Sequence, residues 1–126
     1  MPIIHHGTVP EAEMRPGIRG KFLANRELGA SSVALLLNTA EAGAEVPLHM
    51  HTVEESVMMF EGRIWVQIGD ERYEVGVDDS VVIPPKTPHA WGNAGPGAAR
   101  MLWVWGGADP FADATYLAGQ KPRLDA

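Results

Sequence analysis

Apolar residues fall in short runs along the chain, most of them roughly four to eight residues long and closed by glycine, proline or an acidic residue. Runs of that length with alternating polar positions read as β-strands, because a helix would need an apolar stripe recurring every third or fourth position over a longer window. Strands are expected at 17–24, 32–38, 46–51, 56–61, 63–68, 72–75, 80–83, 89–93 and 100–105. Ile68, Gly69, Asp70 and Glu71 separate two alternating segments, and the Gly-Asp pair supplies the positive φ of a tight antiparallel hairpin. Only 110–119 reads as a helix, with Asp109 as its cap and Pro110 in its first turn. The picture is an all-β domain over 1–126 with at most one short C-terminal helix, the stretches 1–16 and 120–126 being irregular. Periodicity leaves a barrel and a sandwich equally open.

Composition narrows the classes of function. The 126 residues contain no internal repeat and are enough to bury a core unaided. With 45% hydrophobic and 21% charged residues, the balance is that of a soluble globular protein. The formal charge of -6 includes no cluster of Lys or Arg to neutralise phosphates, so nucleic acid is not an expected partner. Without cysteine there is no disulfide, thiolate ligand or cysteine nucleophile. The opening MPIIHHGTVPEAEMRPG lacks the basic-then-apolar order of a signal peptide, and no run approaches the roughly 18 apolar residues of a spanning helix. A cytoplasmic protein with no membrane partner is expected.

Within this frame the histidines carry the chemistry. His49 and His51 stand two apart on an expected strand, so both imidazoles project from one face while Met50 projects from the other. Two such imidazoles chelate Zn, Fe, Mn, Ni or Cu when further ligands arrive from neighbouring strands. Glu55 and Glu54 both lie where the next strand begins, and spacing barely separates them. His89 follows Pro84, Pro85 and Pro88, which stiffen its approach and suit it to a fourth ligand. His5 and His6 read as an exposed N-terminal pair outside the site.

These residues resemble the cupin superfamily. Its first motif, Gly, five residues, His, one residue, His, three or four residues, Glu, six residues, Gly, is met by GAEVPLHMHTVEESVMMFEG with Gly43, His49, His51, Glu55 and Gly62. The second is met by DDSVVIPPKTPHAWGN at Pro84, His89 and Asn93, but Asp78 and Lys86 stand where the motif has glycine. Both departures fall in turns and bear on backbone geometry rather than on ligands. The resemblance spans 43–93 and implies a single antiparallel β-barrel of the double-stranded β-helix, or jelly-roll, type. It selects Glu55 over Glu54 and implies one divalent transition metal, Fe, Mn, Ni or Zn, on His49, His51, Glu55 and His89. A homodimer is the corresponding family expectation.

Around that ion, Val57 and Met59 share the parity of Glu55, and Trp91 shares that of His89, so the three are candidates for an apolar substrate wall. Trp91 is evenly balanced between wall and core, whereas Trp103 and Trp105 read as core. Arg19, Lys21 and Tyr73 are candidate anchors for an acidic substrate but read first as solvated side chains. The first functional expectation is a dioxygenase-type oxidoreductase acting on a small chelating molecule, with Glu55 both ligand and base. The alternatives are a non-oxidative isomerase or lyase using the ion as a Lewis acid, and a non-catalytic module that binds a metal or small ligand.

Overall fold

The computed structural model describes residues 2–119. A 3-10 turn at His6–Thr8 precedes β1 (Ala12–Arg15), β2 (Ile18–Ala24), β3 (Ala34–Ala40), β4 (Glu45–Met50), β5 (Glu55–Glu61), β6 (Ile64–Ile68) and β7 (Glu71–Val75). Then follow β8 (Ser80–Ile83), β9 (His89–Asn93), β10 (Ala99–Trp105), α1 (Pro110–Asp113) and β11 (Thr115–Tyr116). The strands form two antiparallel sheets of jelly-roll type, ordered β1-β2-β3-β10-β5-β8 and β11-β4-β9-β6-β7.

Alternation decides what each sheet buries. On β3 the inward positions are Ala34, Leu36, Asn38 and Ala40, and on β10 they are Ala99, Met101, Trp103 and Trp105. Val57 and Met59 of β5 and Ile64 and Val66 of β6 complete the core between the sheets. Each such aliphatic side chain contributes about 1.5–3 kcal/mol when fully buried, which is what holds the sheets face to face. Strand β9 departs from alternation and is buried at all five positions. Its outer face is covered by Trp65, paired across the ladder with Gly92, and the Arg72 guanidinium lies 3.8 Å from the centroid of that indole. A Cβ on residue 92 would meet the indole at 2.6 Å, so glycine is required there by close approach.

Three expectations change. The irregular stretch 1–16 contains β1, which pairs with β2 and buries Met14. The expected helix over 110–119 stops at Asp113, and Thr115 and Tyr116 add a strand to β4 opposite Met50 and His49. A β-branched and an aromatic residue gain more from that edge than from one further helical turn. Asp109 does occupy the position before the helix, but its carboxylate pairs with Arg26 and makes no capping bond. The expected stretch 120–126 lies outside the described residues. Elsewhere the strands agree with expectation apart from shifts of up to two residues at their ends.

Of the two residues that replace motif glycines, Lys86 alone takes a positive φ, at 60°. Its amide donates to the His51 carbonyl at 2.7 Å, which holds the turn against the segment bearing a site residue. A left-handed conformation costs an L-residue about 1–2 kcal/mol, and glycine returns part of that gain as lost chain entropy. Lys86→Gly is therefore expected to raise the melting temperature by about 2–5 °C, as read by calorimetry. A lower melting temperature would show that the lysine side chain contributes contacts that outweigh the backbone strain.

Candidate metal centre

His49 is delivered by β4, His51 follows its last residue, Glu55 opens β5 and His89 opens β9. One ligand atom from each lies within 4.8 Å of all the others. None of the four residues is more than 5% exposed. Glu54, the rival carboxylate, is exposed, and its carbonyl is occupied by the Gly106 amide at 3.0 Å. Entry into β5 therefore turns Glu55 inward.

The placement of His49 depends on a bulge. In the β4–β9 ladder Val46 pairs with Trp91 and His49 with His89, so three steps on β4 match two on β9. Pro47 sits inside that irregularity, where its missing N–H leaves no ladder bond to lose. Without the extra residue, Val46 and His49 would face opposite sides. With it both line one cavity. The bulge also turns the Pro47 carbonyl toward His49 Nδ1, 2.8 Å away, and Thr87 provides the same contact to His89 Nδ1 at 2.9 Å. An Nδ1–H donating to a carbonyl fixes the tautomer in which Nε2 keeps its lone pair for the centre of the cluster. His51 Nδ1 lies 3.7 Å from Asp113 Oδ2, and Asp113 itself accepts the Thr52 amide at 2.8 Å.

Burial governs the electrostatics. It pushes His49 down to about 3, helped by the neighbouring His89 and His51 and opposed by the Pro47 contact. His51 is lowered by burial against the pull of Glu55. Burial works on His89 in the same sense, but the adjacent Glu55 carboxylate outweighs it and raises this histidine. Glu55 Oε1 stands 2.6 Å from His89 Nε2 and 3.7 Å from His51 Nε2. Even so, Glu55 Oε1 and His89 Nε2 have no directed hydrogen bond. Buried donor atoms that converge in this way fit a divalent transition metal, and three imidazoles with one carboxylate are the donor set for it.

Beside the cluster is a cavity of about 40 Å³. Trp91, evenly balanced between wall and core in the sequence, lines it, and so do Trp103 and Trp105, which read first as core. Val57 and Met59 do not. They are buried in the core, and Trp103, across the ladder from Val57, takes the wall with its larger indole. Arg19, Lys21 and Tyr73, which read first as solvated side chains, do not line it: Arg19 pairs with Glu11 and Glu41, Lys21 donates to the His6 carbonyl, and Tyr73 is half exposed and bonded to Glu71. His5 and His6 are exposed. Arg15 and Tyr116 line the cavity unforeseen. Arg15 was hidden by a second irregularity, between Glu13 and Arg15 on β1, and Tyr116 by its assignment to a helix.

The family described as Cupin domain matches residues 36–105, more than half of the chain and all four donors. The chain belongs to the cupin family. An uncharacterized protein of Methanocaldococcus jannaschii is 43% identical over 61 residues, which are 48% of this cupin and 49% of that protein. Among solved structures, the polyketide cyclase RemF of Streptomyces resistomycificus superposes with a TM-score of 0.79 at 20% identity, covering 95% of this chain and 87% of that one. The Lactobacillus farciminis oxalate decarboxylase in its formate complex gives 0.78 at 17%, over 90% of this chain and 35% of that one. The cupin thus spans about half of its sequence relative and about a third of the decarboxylase chain. At these identities the structural matches speak for the fold.

The lowered His49 has a consequence for the metal-free cupin. Its ordinary value is 6.5, so on unfolding it takes up a proton that the folded site refuses. That contribution is complete above about pH 6.5 and is lost as pH falls toward 3, whereas the raised His89 contributes below its ordinary value and fades as pH rises through its folded one. The melting temperature of metal-free protein is expected to fall on acidification from pH 6.5 to 4, with a shallower slope in His49→Gln. Equal slopes would mean that His49 titrates alike in the folded and unfolded chain.

Proposed function

We propose that this cupin is a metal-dependent enzyme acting on a small chelating organic molecule, with oxidation by dioxygen as the first reading. The observation that carries it is the joining of four buried donors to a cavity walled by Trp91, Trp103 and Trp105. His49, His51, Glu55 and His89 would hold one divalent ion, which would supply Lewis acidity and, as Fe(II), reactivity toward dioxygen. Glu55 lies on the cavity wall beside His89 and, in this reading, would accept a proton from an acidic C–H or O–H of a bound substrate. A bound substrate packed against the indole walls would displace water, which would strengthen the charge interactions inside.

A second reading, non-oxidative isomerase or lyase chemistry on a carbonyl substrate, draws support from Arg15. That reading calls for a cation in the pocket, and Arg15 lines this one. Structural neighbours named as a decarboxylase and a cyclase are in keeping with it.

Elemental analysis of protein purified without chelators is expected to give one divalent metal per chain, and His49→Ala or His89→Ala to lower its affinity by at least about tenfold. One ion per chain retained by both variants would overturn the ligand set. With iron-loaded protein, dioxygen uptake on addition of 1,3-dicarbonyl or catechol-like compounds supports oxygenation. Anaerobic turnover with Zn or Ni moves the assignment to the second reading, and tight binding without product moves it to a non-catalytic module.

A further inference from the structure

Two spaces meet at Met14. The cavity beside the four donors measures about 40 Å³, and a groove of about 590 Å³ lies between the N-terminal segment and β2. Among the described residues, Met14 is the one that lines both. A second contact runs alongside it: Phe22 lines the groove, Phe111 lines the cavity, and their rings meet edge-on with centroids 5.4 Å apart. At Met14 the wall between the two spaces is therefore a single thioether side chain.

The surroundings of that side chain leave it free to repack. In the β1–β2 ladder Ala12 pairs with Gly20, Glu13 with Arg19 and Arg15 with Ile18, so Met14 is the extra residue of the bulge. Strand β1 has four residues and stands at the edge of its sheet. A Cβ on residue 20 would meet Met14 Cε at 2.8 Å and Sδ at 2.9 Å, so glycine there gives the thioether its room. On the cavity side the Asn38 amide donates to Met14 Sδ at 3.7 Å, a weak bond to a soft acceptor. An unbranched side chain with three rotatable bonds exchanges such contacts at small cost.

The groove itself is apolar, walled by Ile3, Ile4, Val9, Phe22 and Leu28. Three of its polar side chains are already bonded to the main chain: Lys21 donates to the His6 carbonyl at 3.2 Å, Thr8 donates to the His5 carbonyl at 2.7 Å, and Asn25 accepts the Leu28 amide at 3.0 Å. Its volume falls within the range of roughly 300–1,000 Å³ usual for small-molecule sites, and its lining suits a hydrocarbon segment. The cavity by contrast has room for only a few heavy atoms.

Resting on the metal reading above, we propose that the ligand of this cupin has two parts, a chelating head at the four donors and an unbranched apolar tail that displaces the Met14 thioether and lies in the groove. The cavity then selects the head, and Met14 decides which tails are admitted.

The test is calorimetric binding of acetohydroxamate and octanohydroxamate to the Ni(II)-loaded full chain, with nickel content measured after each titration. Octanohydroxamate is expected to bind at least about twentyfold more tightly, through the methylenes that the groove buries. Ala12→Phe fills the groove from a residue that does not line the cavity, and should remove most of that gain while leaving acetohydroxamate within about twofold. Met14→Ile, similar in volume but branched and stiff at χ1, should also remove most of it, whereas Met14→Ala should keep or enlarge it. With nickel retained, wild-type affinities within about threefold of each other, or a gain undiminished in Ala12→Phe or in Met14→Ile, overturn the tail site and leave the metal reading standing. If the wild type retains no metal, the metal reading falls, and 1-octanol added to the metal-free chain decides the shared space. Three of the four tryptophans line the cavity, so a change in emission that Ala12→Phe removes supports it. Emission unaffected by octanol, or changed alike in both proteins, overturns it.

Discussion

Everything at the functional end of this molecule depends on breaking the two-residue period of a strand at two chosen places. A regular strand places alternate residues on one face, so residues three apart cannot share it. The extra residue at Pro47 and Leu48 lets Val46 and His49 both face inward and sets His49 opposite His89. The irregularity on β1 lets adjacent Met14 and Arg15 reach the same cavity. Each is a local kink in one ladder. Between them they bring an imidazole and a guanidinium to one side of a space that strict alternation would have lined with aliphatic side chains.

A cluster of this kind opposes the fold that contains it. Four ionisable side chains are buried together, and burial resists the charged form of every histidine among them. The core of Val57, Ile64, Val66 and Met101 supplies the compensating stabilisation from immediately beside them. Backbone carbonyls reduce the penalty further. Pro47 and Thr87 each occupy the Nδ1 of a histidine, so that a single ring nitrogen, Nε2, is left to each ring for the cluster. The same contacts that make burial tolerable also preorganise the donors.

Much of this was legible in the sequence, for physical reasons that also mark where legibility stops. Short alternating runs gave nine of the strands because side-chain parity is written directly into hydrophobicity. His49, His51, Glu55 and His89 were legible because motif spacing preserves the bulge implicitly: the residue count between Gly43 and His49 already contains it. Lys86 was legible as an anomaly, and the structure shows it in the left-handed conformation that glycine would take. Arg15 was not, since Pro16 and Gly17 announce the turn that follows it but not the register shift between Glu13 and Arg15 that decides which way it faces. Tyr116 was missed because one turn of helix before it resembles the start of a longer one, and a two-residue strand is too short to show a period. Val57 and Met59 had the right parity, but parity assigns a face and says nothing about which side chain on that face reaches furthest.

The origins of the site's parts along the chain separate two roles. All four metal-type donors lie within 36–105, the portion matched by the family, as do Trp91, Trp103 and Trp105. Arg15, Phe111 and Tyr116 lie outside it and close the cavity from the two flanks. Phe111 packs edge-on against Trp105, and Tyr116 stacks on His49, so each flanking residue is seated on a ring that the shared portion provides. In such an arrangement the common scaffold fixes where an ion would sit, while the flanks fix the shape and charge of what could approach it. Arg15 is felt at the cluster as well: its charge works with burial to lower His49, and its contact with Tyr116 runs to a ring stacked on that imidazole. Such a division is how one scaffold can host many chemistries, and the flanking residues are the ones a family resemblance is least able to supply.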